Sequence, residues 1–503
     1  MRCAWKIAGY LTVLLLLSAS RLSAQQANSG HQSYVGAIFS DERHNIGDGC
    51  GTKNPDGKDK PIRLLVPGCL TSLFRGNKGL YGSFANLPPG NGLALGGVFK
   101  DSELNQGRWR MNYQIDSQGS FNGSWTSGGI LTLRLAPMTE GGNSTQPPAE
   151  NQEPAQTLPA NPHKPRIRPR TVVVQGPLPK HLPELGENET KLLLNFYAFH
   201  TSLNQVSYFG IGPNTLLADR AFFALRETVT GVNADRLLKY GFHLLGELNG
   251  RWPSIGADHG QSSPSIEQTY SEATAPGLTR QPGFLQLGEG LQYTKHWGGL
   301  ATDANFGADF DLDWGVNFQQ FIAPSDSAFS FRRVTIDATN EINLLKRFTP
   351  TNGAATSEHF GTLQLRGWLT ESIVPAGHFV PFYFQPTLGG GDIDKERTLA
   401  SFADYRFRAP NALLLRAQYE QPLPKISFLG IVFRAETGKV GNARGDIDLT
   451  HLRHSFGAGI SLRAGNFPYV MLMYGWGGGE GHRTFADVNL TAISSTGGPA
   501  SLW

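Results

Sequence analysis

The chain lacks any apolar run of eighteen or more residues, so no helix of it is long enough to cross a bilayer. Cysteine is scarce: three in 503 residues exclude a disulfide scaffold. An excess of one charge is missing as well. The 44 Lys plus Arg against 41 Asp plus Glu leave a formal +3, and nothing marks a nucleic-acid binder. Charged residues make up only 17 %, where about 25 % is usual. Glycine, by contrast, is abundant at 61 residues, too many for a helical bundle.

The first residues set the compartment. Arg2 and Lys6 precede an apolar run, Ile7 to Leu17, and then Ser18, Ala19 and Ser20 lead to a cleavage point after Ala24. This is the layout of a secretory signal peptide, residues 1–24, and the apolar core is too short for a membrane anchor. Cys3 leaves with it. Cys50 and Cys69 remain as an even pair in an exported, disulfide-permissive compartment, a candidate disulfide whose pairing the spacing alone does not decide. An exported chain without helical spans can enter a membrane only as a closed β-barrel.

Alternation supports that form, because a strand between lipid and water switches polarity at every residue. Trp109, Met111, Tyr113 and Ile115 alternate with Arg108, Arg110, Asn112, Gln114 and Asp116. Phe310, Leu312, Trp314, Val316 and Phe318 alternate with Asp309, Asp311, Asp313, Gly315 and Asn317. The pattern returns with Val334, Ile336 and Ala338 against Arg333, Thr335 and Asp337, and with Leu413, Leu415 and Tyr419 against Arg416, Gln418 and Glu420. It returns again with Phe456, Ala458 and Ile460 against Ser455, Gly457 and Gly459. Weaker cases bring the total to roughly fourteen to sixteen strands. A soluble sandwich also alternates, but charge this dense on one strand face, without continuous Ile/Val core strands, favours a barrel. The expected fold is all-β: a transmembrane antiparallel β-barrel of about sixteen strands with a long Pro-rich insertion. Trp109, Trp252, Trp297, Trp368, Trp476 and Tyr474 fall near expected strand ends, as interface girdles do.

Along the chain, residues 25–90 read as an irregular periplasmic region and 91–490 as the barrel, with a Pro-rich loop or linker at 137–190 and a Gly/Ser-rich tail at 491–503. His163, Lys164, Arg166, Arg168 and Arg170 form a basic run within the Pro-rich stretch, most simply a solvated segment. Alternatively, residues 25–190 form a separate exported region and the barrel begins near Lys191. The patterning of Gly92–Pro137 favours including it in the barrel.

Several motifs carry a family resemblance. Tyr208-Phe209-Gly210-Ile211-Gly212-Pro213-Asn214-Thr215, with Asp219, Phe222 and Glu227, resembles the early barrel of bacterial surface antigens. These belong to the outer-membrane assembly-factor superfamily that includes BamA and TamA. Leu388-Gly389-Gly390, Phe402, Arg406-Phe407-Arg408, Gln418 to Leu423, Phe433, Gly438, Val440 and the strand Ser455 to Leu462 resemble its C-terminal third. The resemblance covers about residues 85 to 490 and implies a sixteen-stranded barrel in the bacterial outer membrane. It further implies lipid contact outside, unfolded outer-membrane or secreted proteins as partners, and a role in protein insertion, translocation or outer-membrane assembly. The alternative is a passive channel or surface-exposed barrel that has lost assembly activity.

The same resemblance implies a functional loop folded into the lumen between the eleventh and twelfth strands, at about Gly389 to Ala409. Its tip position reads Leu399-Ala400-Ser401-Phe402, where the family carries Val-Arg-Gly-Phe or Leu-Arg-Gly-Tyr. An arginine at the tip would pair with lumen carboxylates such as Asp309, Asp311 or Asp313; Ala400 cannot, so loss of that lock is expected ahead of substitution by Arg397 or Arg406. The family's periplasmic POTRA domains are not evident either. About sixty-five residues separate the signal from the first expected strand, and they show no helical periodicity.

Catalytic patterns are weak, and the chain is expected not to be an enzyme. His454 and Ser455 are adjacent on a strand and point to opposite faces. Asp392, Asp394 and Glu396 lack the glycine and terminal glutamate of a calcium loop, and the histidines lack metal-ligand spacing, so neither metal nor cofactor is expected. Gly477-Gly478-Gly479 before Glu480 reads as a turn between the last two strands.

Overall fold

The computed structural model describes residues 79–101, 105–106, 109–135, 191–257, 264–301, 306–348, 356–394, 396–423, 426–464 and 467–488. The signal peptide, Cys50 and Cys69, the Pro-rich stretch 137–190 and the tail 491–503 lie outside them. Sixteen long strands follow one another: β1 (Gly79–Asn86), β2 (Leu93–Asp101), β3 (Trp109–Ser120), β4 (Trp125–Leu135), β5 (Leu192–Tyr208), β6 (Ala221–Leu237), β7 (Phe242–Ala257) and β8 (Phe284–Ala301). Then come β9 (Phe306–Ile322), β10 (Phe331–Phe348), β11 (Thr356–Ile373), β12 (Asn411–Leu423), β13 (Ile426–Gly441), β14 (Arg453–Ala464), β15 (Phe467–Trp476) and β16 (His482–Val488). Each pairs antiparallel with the next in a simple meander.

The first strand begins at Gly79, so four long strands precede the Pro-rich stretch and the region 25–90 is not irregular throughout. The segment Gly79–Asn86 is glycine-rich, and too few of its side chains carry the alternation that marks the later strands.

The faces are inverted relative to a soluble protein. On β9, Trp314 and Val316 are 47 % and 51 % exposed on the outside, while Asn317 and Gln319 are 8 % exposed on the inside. On β12 and β14 the inward residues Arg416 and Ser461 are buried, while outward Leu415, Phe456 and Ile460 are exposed. An exterior of this kind is stable only against hydrocarbon, and a sixteen-stranded sheet with a polar bore is the form that outer-membrane barrels take. The chain is therefore an outer-membrane β-barrel.

Trp109 and Trp297, with Tyr474 and Trp476 at the end of β15, are exposed near strand ends. Trp368 is the exception to the girdle expectation. It lies on the inward face of β11, opposite Asp337 and Leu414, and packs against the buried cluster that holds Leu388, Leu399, Phe402 and Phe407 inside the bore. Alternation alone does not say which apolar side chains a filled lumen will claim.

The described connections 87–92, 121–124, 209–220, 264–283, 323–330, 374–394 with 396–410, 442–452 and 477–481 share one end of the barrel, opposite the end where β1 starts and β16 stops. Among the described connections the longer ones lie at this end, as they do on the outer side of such barrels. At this end the strands turn aromatics inward: Tyr208, Phe223, Phe284, Phe321 and Phe331 surround Phe382, Tyr383 and Phe384 of the 374–410 connection. Phe382 meets Tyr208 and Phe223 edge-on at 5.0 Å each, and Phe384 meets Phe284 at 5.0 Å.

Candidate functional site

Residues 374–410, between the eleventh and twelfth strands, turn back into the bore. Two small ladders brace them, Thr387–Leu388 with Phe407–Arg408 and Gly390–Gly391 with Arg397–Thr398. The Gly212 N–H of the β5–β6 connection donates to the Arg408 carbonyl at 2.7 Å, which ties the early glycine motif to this loop. Arg408 is itself buried and donates to the carbonyls of Phe382 at 2.6 Å and Gln385 at 3.4 Å, so the aromatic stopper keeps its backbone acceptors satisfied. Burial lowers the Arg408 pKa to about 10, which leaves it cationic at neutral pH.

The tip, Leu399 to Phe402, is buried, with Leu399 at φ +42°, in the left-handed region few such residues adopt. The Ala400 N–H donates to Glu436 Oε2 at 2.9 Å and the Ser401 N–H to Ser455 Oγ at 2.9 Å. The other Glu436 oxygen receives Arg416 Nε at 2.8 Å, and Arg416 reaches on to the Arg397 carbonyl. Arg397 donates to Asp487 on β16 at 3.0 Å, and Arg434 of β13 donates to the second Asp487 oxygen at 3.2 Å. Arg366 of β11 grips Asp337 through both oxygens, at 2.8 and 2.7 Å, and also binds Glu396. Charges so buried are tolerable only because each meets an opposite charge or a carbonyl.

This seat corrects the expectation that Ala400 at the tip means loss of the lock. The tip is held through its own backbone, and the cations come from flanking positions and from the wall. Arg406, buried beside the tip, clasps Glu480 of the β15–β16 turn with Nε and Nη2, at 2.9, 2.8 and 2.6 Å. It also donates to the Thr215 hydroxyl at 2.8 Å and carbonyl at 2.7 Å, and it lies 4.6 Å from the Phe407 ring centroid.

Asp309, Asp311 and Asp313 are not where the tip lands. They line the inner face of β9, where Asp311 accepts from His296 at 2.6 Å and Asn343 at 3.2 Å, and Asp313 from Gln292 at 2.7 Å. The tip's described hydrogen bonds to the wall go to β13, β14, β16 and the β15–β16 turn instead.

The same loop gathers both edges of the sheet. Tyr405 donates to the Pro89 carbonyl in the β1–β2 turn at 3.2 Å, while neighbouring Asp404 accepts from Arg483 on β16. Burial, with Asp392 and Asp404 adding to it, pushes the Tyr405 hydroxyl well above its ordinary pKa, so it stays a donor.

Arg416, Glu436 and Asp487 carry no motif in the sequence; their only signal is the polar half of the alternation, which says they face inward and not what they meet. Ser455 enters only as the start of a resembling strand and Glu480 only as the residue that follows a glycine turn. Ser455 accepts the tip's N–H and His454 lies exposed on the other side of β14. Among the described residues no group of three His, Cys, Asp or Glu side chains could hold a metal ion.

No family model and no curated protein matches the chain. Among solved structures it is similar to BamA from Haemophilus ducreyi lacking POTRA domains 1–3, at 10 % identity and TM-score 0.45, over 81 % of this chain and 68 % of that one. It is also similar to CdiB from Escherichia coli, at 12 % identity and TM-score 0.43, over 81 % of this chain and 61 % of that one. With CdiB from Acinetobacter baumannii the values are 9 %, 0.40, 91 % and 71 %. The assignment to the outer membrane rests on the strands themselves: sixteen of them, apolar outside and polar inside, around a bore that their own β11–β12 loop fills.

Proposed function

We propose that this barrel acts on other polypeptides at the outer membrane, in inserting or translocating proteins, and that solute passage is not its task. The observation that carries the reading is the seat of residues 374–410. A loop fixed by Glu436, Asp487 and Glu480, and stoppered by Phe382 and Phe384, occupies the space a passive pore would leave to water. Such a barrel has its lipid-facing wall left to work with, and unfolded outer-membrane or secreted proteins are the partners this reading calls for. No reaction is assigned to it.

The test is depletion of the protein in its own cell, with the amounts of other outer-membrane barrels measured. A selective fall supports the reading; unchanged amounts, together with steady single-channel conductance in planar bilayers, would establish the passive channel instead.

A further inference from the structure

The connection between β13 and β14, residues 442–452, stands at the outer end of the barrel, and its crest is Arg444-Gly445-Asp446 in one turn of 3-10 helix. All three residues are exposed. Below the crest the loop is anchored through Asp448. Asp448 accepts Lys439 Nζ at 2.7 Å and the N–H and hydroxyl of Thr450 at 2.9 and 2.7 Å. The turn closes on itself through the Ala443 N–H to Asp446 Oδ2 at 2.8 Å and the Ile447 N–H to the Arg444 carbonyl at 3.1 Å. The Arg444 guanidinium and Asp446 Oδ1 have no partner among the described residues.

Gly445 is the informative member. A Cβ there would meet nothing within 4 Å, and the residue is not among those with positive φ, so the fold itself does not require glycine. Glycine in open space is useful when another surface must come against the backbone. The crest thus offers a cation and a carboxylate on either side of a bare peptide. One suits an acidic pocket, and the other can complete the oxygen shell of a bound divalent cation.

We propose that this turn is a docking site for a receptor of the integrin class, which reads Arg-Gly-Asp through an acidic pocket and a divalent cation. The site is independent of the polypeptide-handling role, and either can fail without the other.

The test uses the full chain in nanodiscs and, as probe, a purified Arg-Gly-Asp-binding integrin ectodomain in Mn²⁺ buffer. Saturable binding is expected, lost with EDTA and displaced by an Arg-Gly-Asp peptide but not by an Arg-Gly-Glu peptide. Asp446→Glu and Gly445→Ala should each weaken it about tenfold or more, with heat-modifiable gel migration showing that both variants are folded. Gly445→Ala matters because it leaves the turn's own hydrogen bonds in place. The proposal is overturned by absence of binding to the folded wild-type chain, or by binding that survives EDTA or either substitution.

Discussion

The ring of Phe402 lies across Gly478, so close that a Cβ on Gly478 would stand 2.0 Å from Phe402 Cζ. Gly478 also sits at φ +71°, where a side chain is strained whatever the space. Gly478→Ala should therefore push the loop tip out of its seat. The expected cost is about 1–3 kcal/mol from overpacking, read as a lower thermal midpoint of the heat-modifiable form. Adding Phe402→Ala should restore part of the loss. Strictly additive effects of the two substitutions would show that the ring does not rest there.

The Arg416–Glu436 pair should be the costliest part of the seat to break. Removing one member of a buried pair costs about 3–5 kcal/mol; without Glu436 the Ala400 N–H also loses its acceptor, and Arg416 keeps only Glu396 at 3.5 Å and the Arg397 carbonyl. Glu436→Ala should destabilise the barrel and raise its conductance in planar bilayers as the loop loosens. Asp311→Asn, on β9, should leave conductance unchanged. Equal effects from the two substitutions would mean that the tip does not distinguish β13 from β9.

Lipid contact predicts a polarity that depends on parity. Val316→Arg on the outer face of β9 should cost about 2–4 kcal/mol of barrel stability, whereas Asp313→Asn on its inner face should cost little. The comparison is made by folding into lipid vesicles from urea; tolerance of the arginine would contradict a hydrocarbon surround.

Acid should loosen the β7–β8 connection. Burial by itself would raise the Glu272 pKa, but the N–H groups of Thr279 and Gly277 at 2.7 Å each, the Thr279 hydroxyl and Arg280 outweigh it and hold the carboxyl below its usual value. A depressed folded pKa means the contribution is full above the unfolded value and disappears as pH falls through the folded one. Hydrogen exchange across 271–281 should therefore rise as pH falls below the ordinary glutamate range, and Glu272→Gln should remove that dependence. Exchange that is flat with pH in the wild type would refute it.

The wall was readable because its physics is local. Trp314 and Asp313 declare opposite solvents from adjacent positions, and the same is true of Leu415 and Arg416. The β11–β12 loop was readable in position, through Leu388-Gly389-Gly390 and Arg406-Phe407-Arg408, but not in its anchoring. Glu436 and Asp487 lie in the polar half of ordinary strand patterns, and their meeting with Ala400 and Arg397 depends on how the sheet curls. Gly478 read as part of a turn; only the packing reveals that it is also the floor under Phe402. Trp368 misled for a related reason: a tryptophan in a strand looks the same from sequence whether it faces lipid or a filled bore.

The meander has a consequence for how such a chain can change in length. Since successive residues address opposite media, one extra residue inside a strand would present every later side chain of that strand to the wrong medium. Register shifts such as those at Ala308/Phe310 and Leu203/Val206 show the wall absorbing such a slip locally. Without such a bulge, insertions and deletions should be confined to the connections, and the barrel's novelty should accumulate at its rims while its staves keep their count.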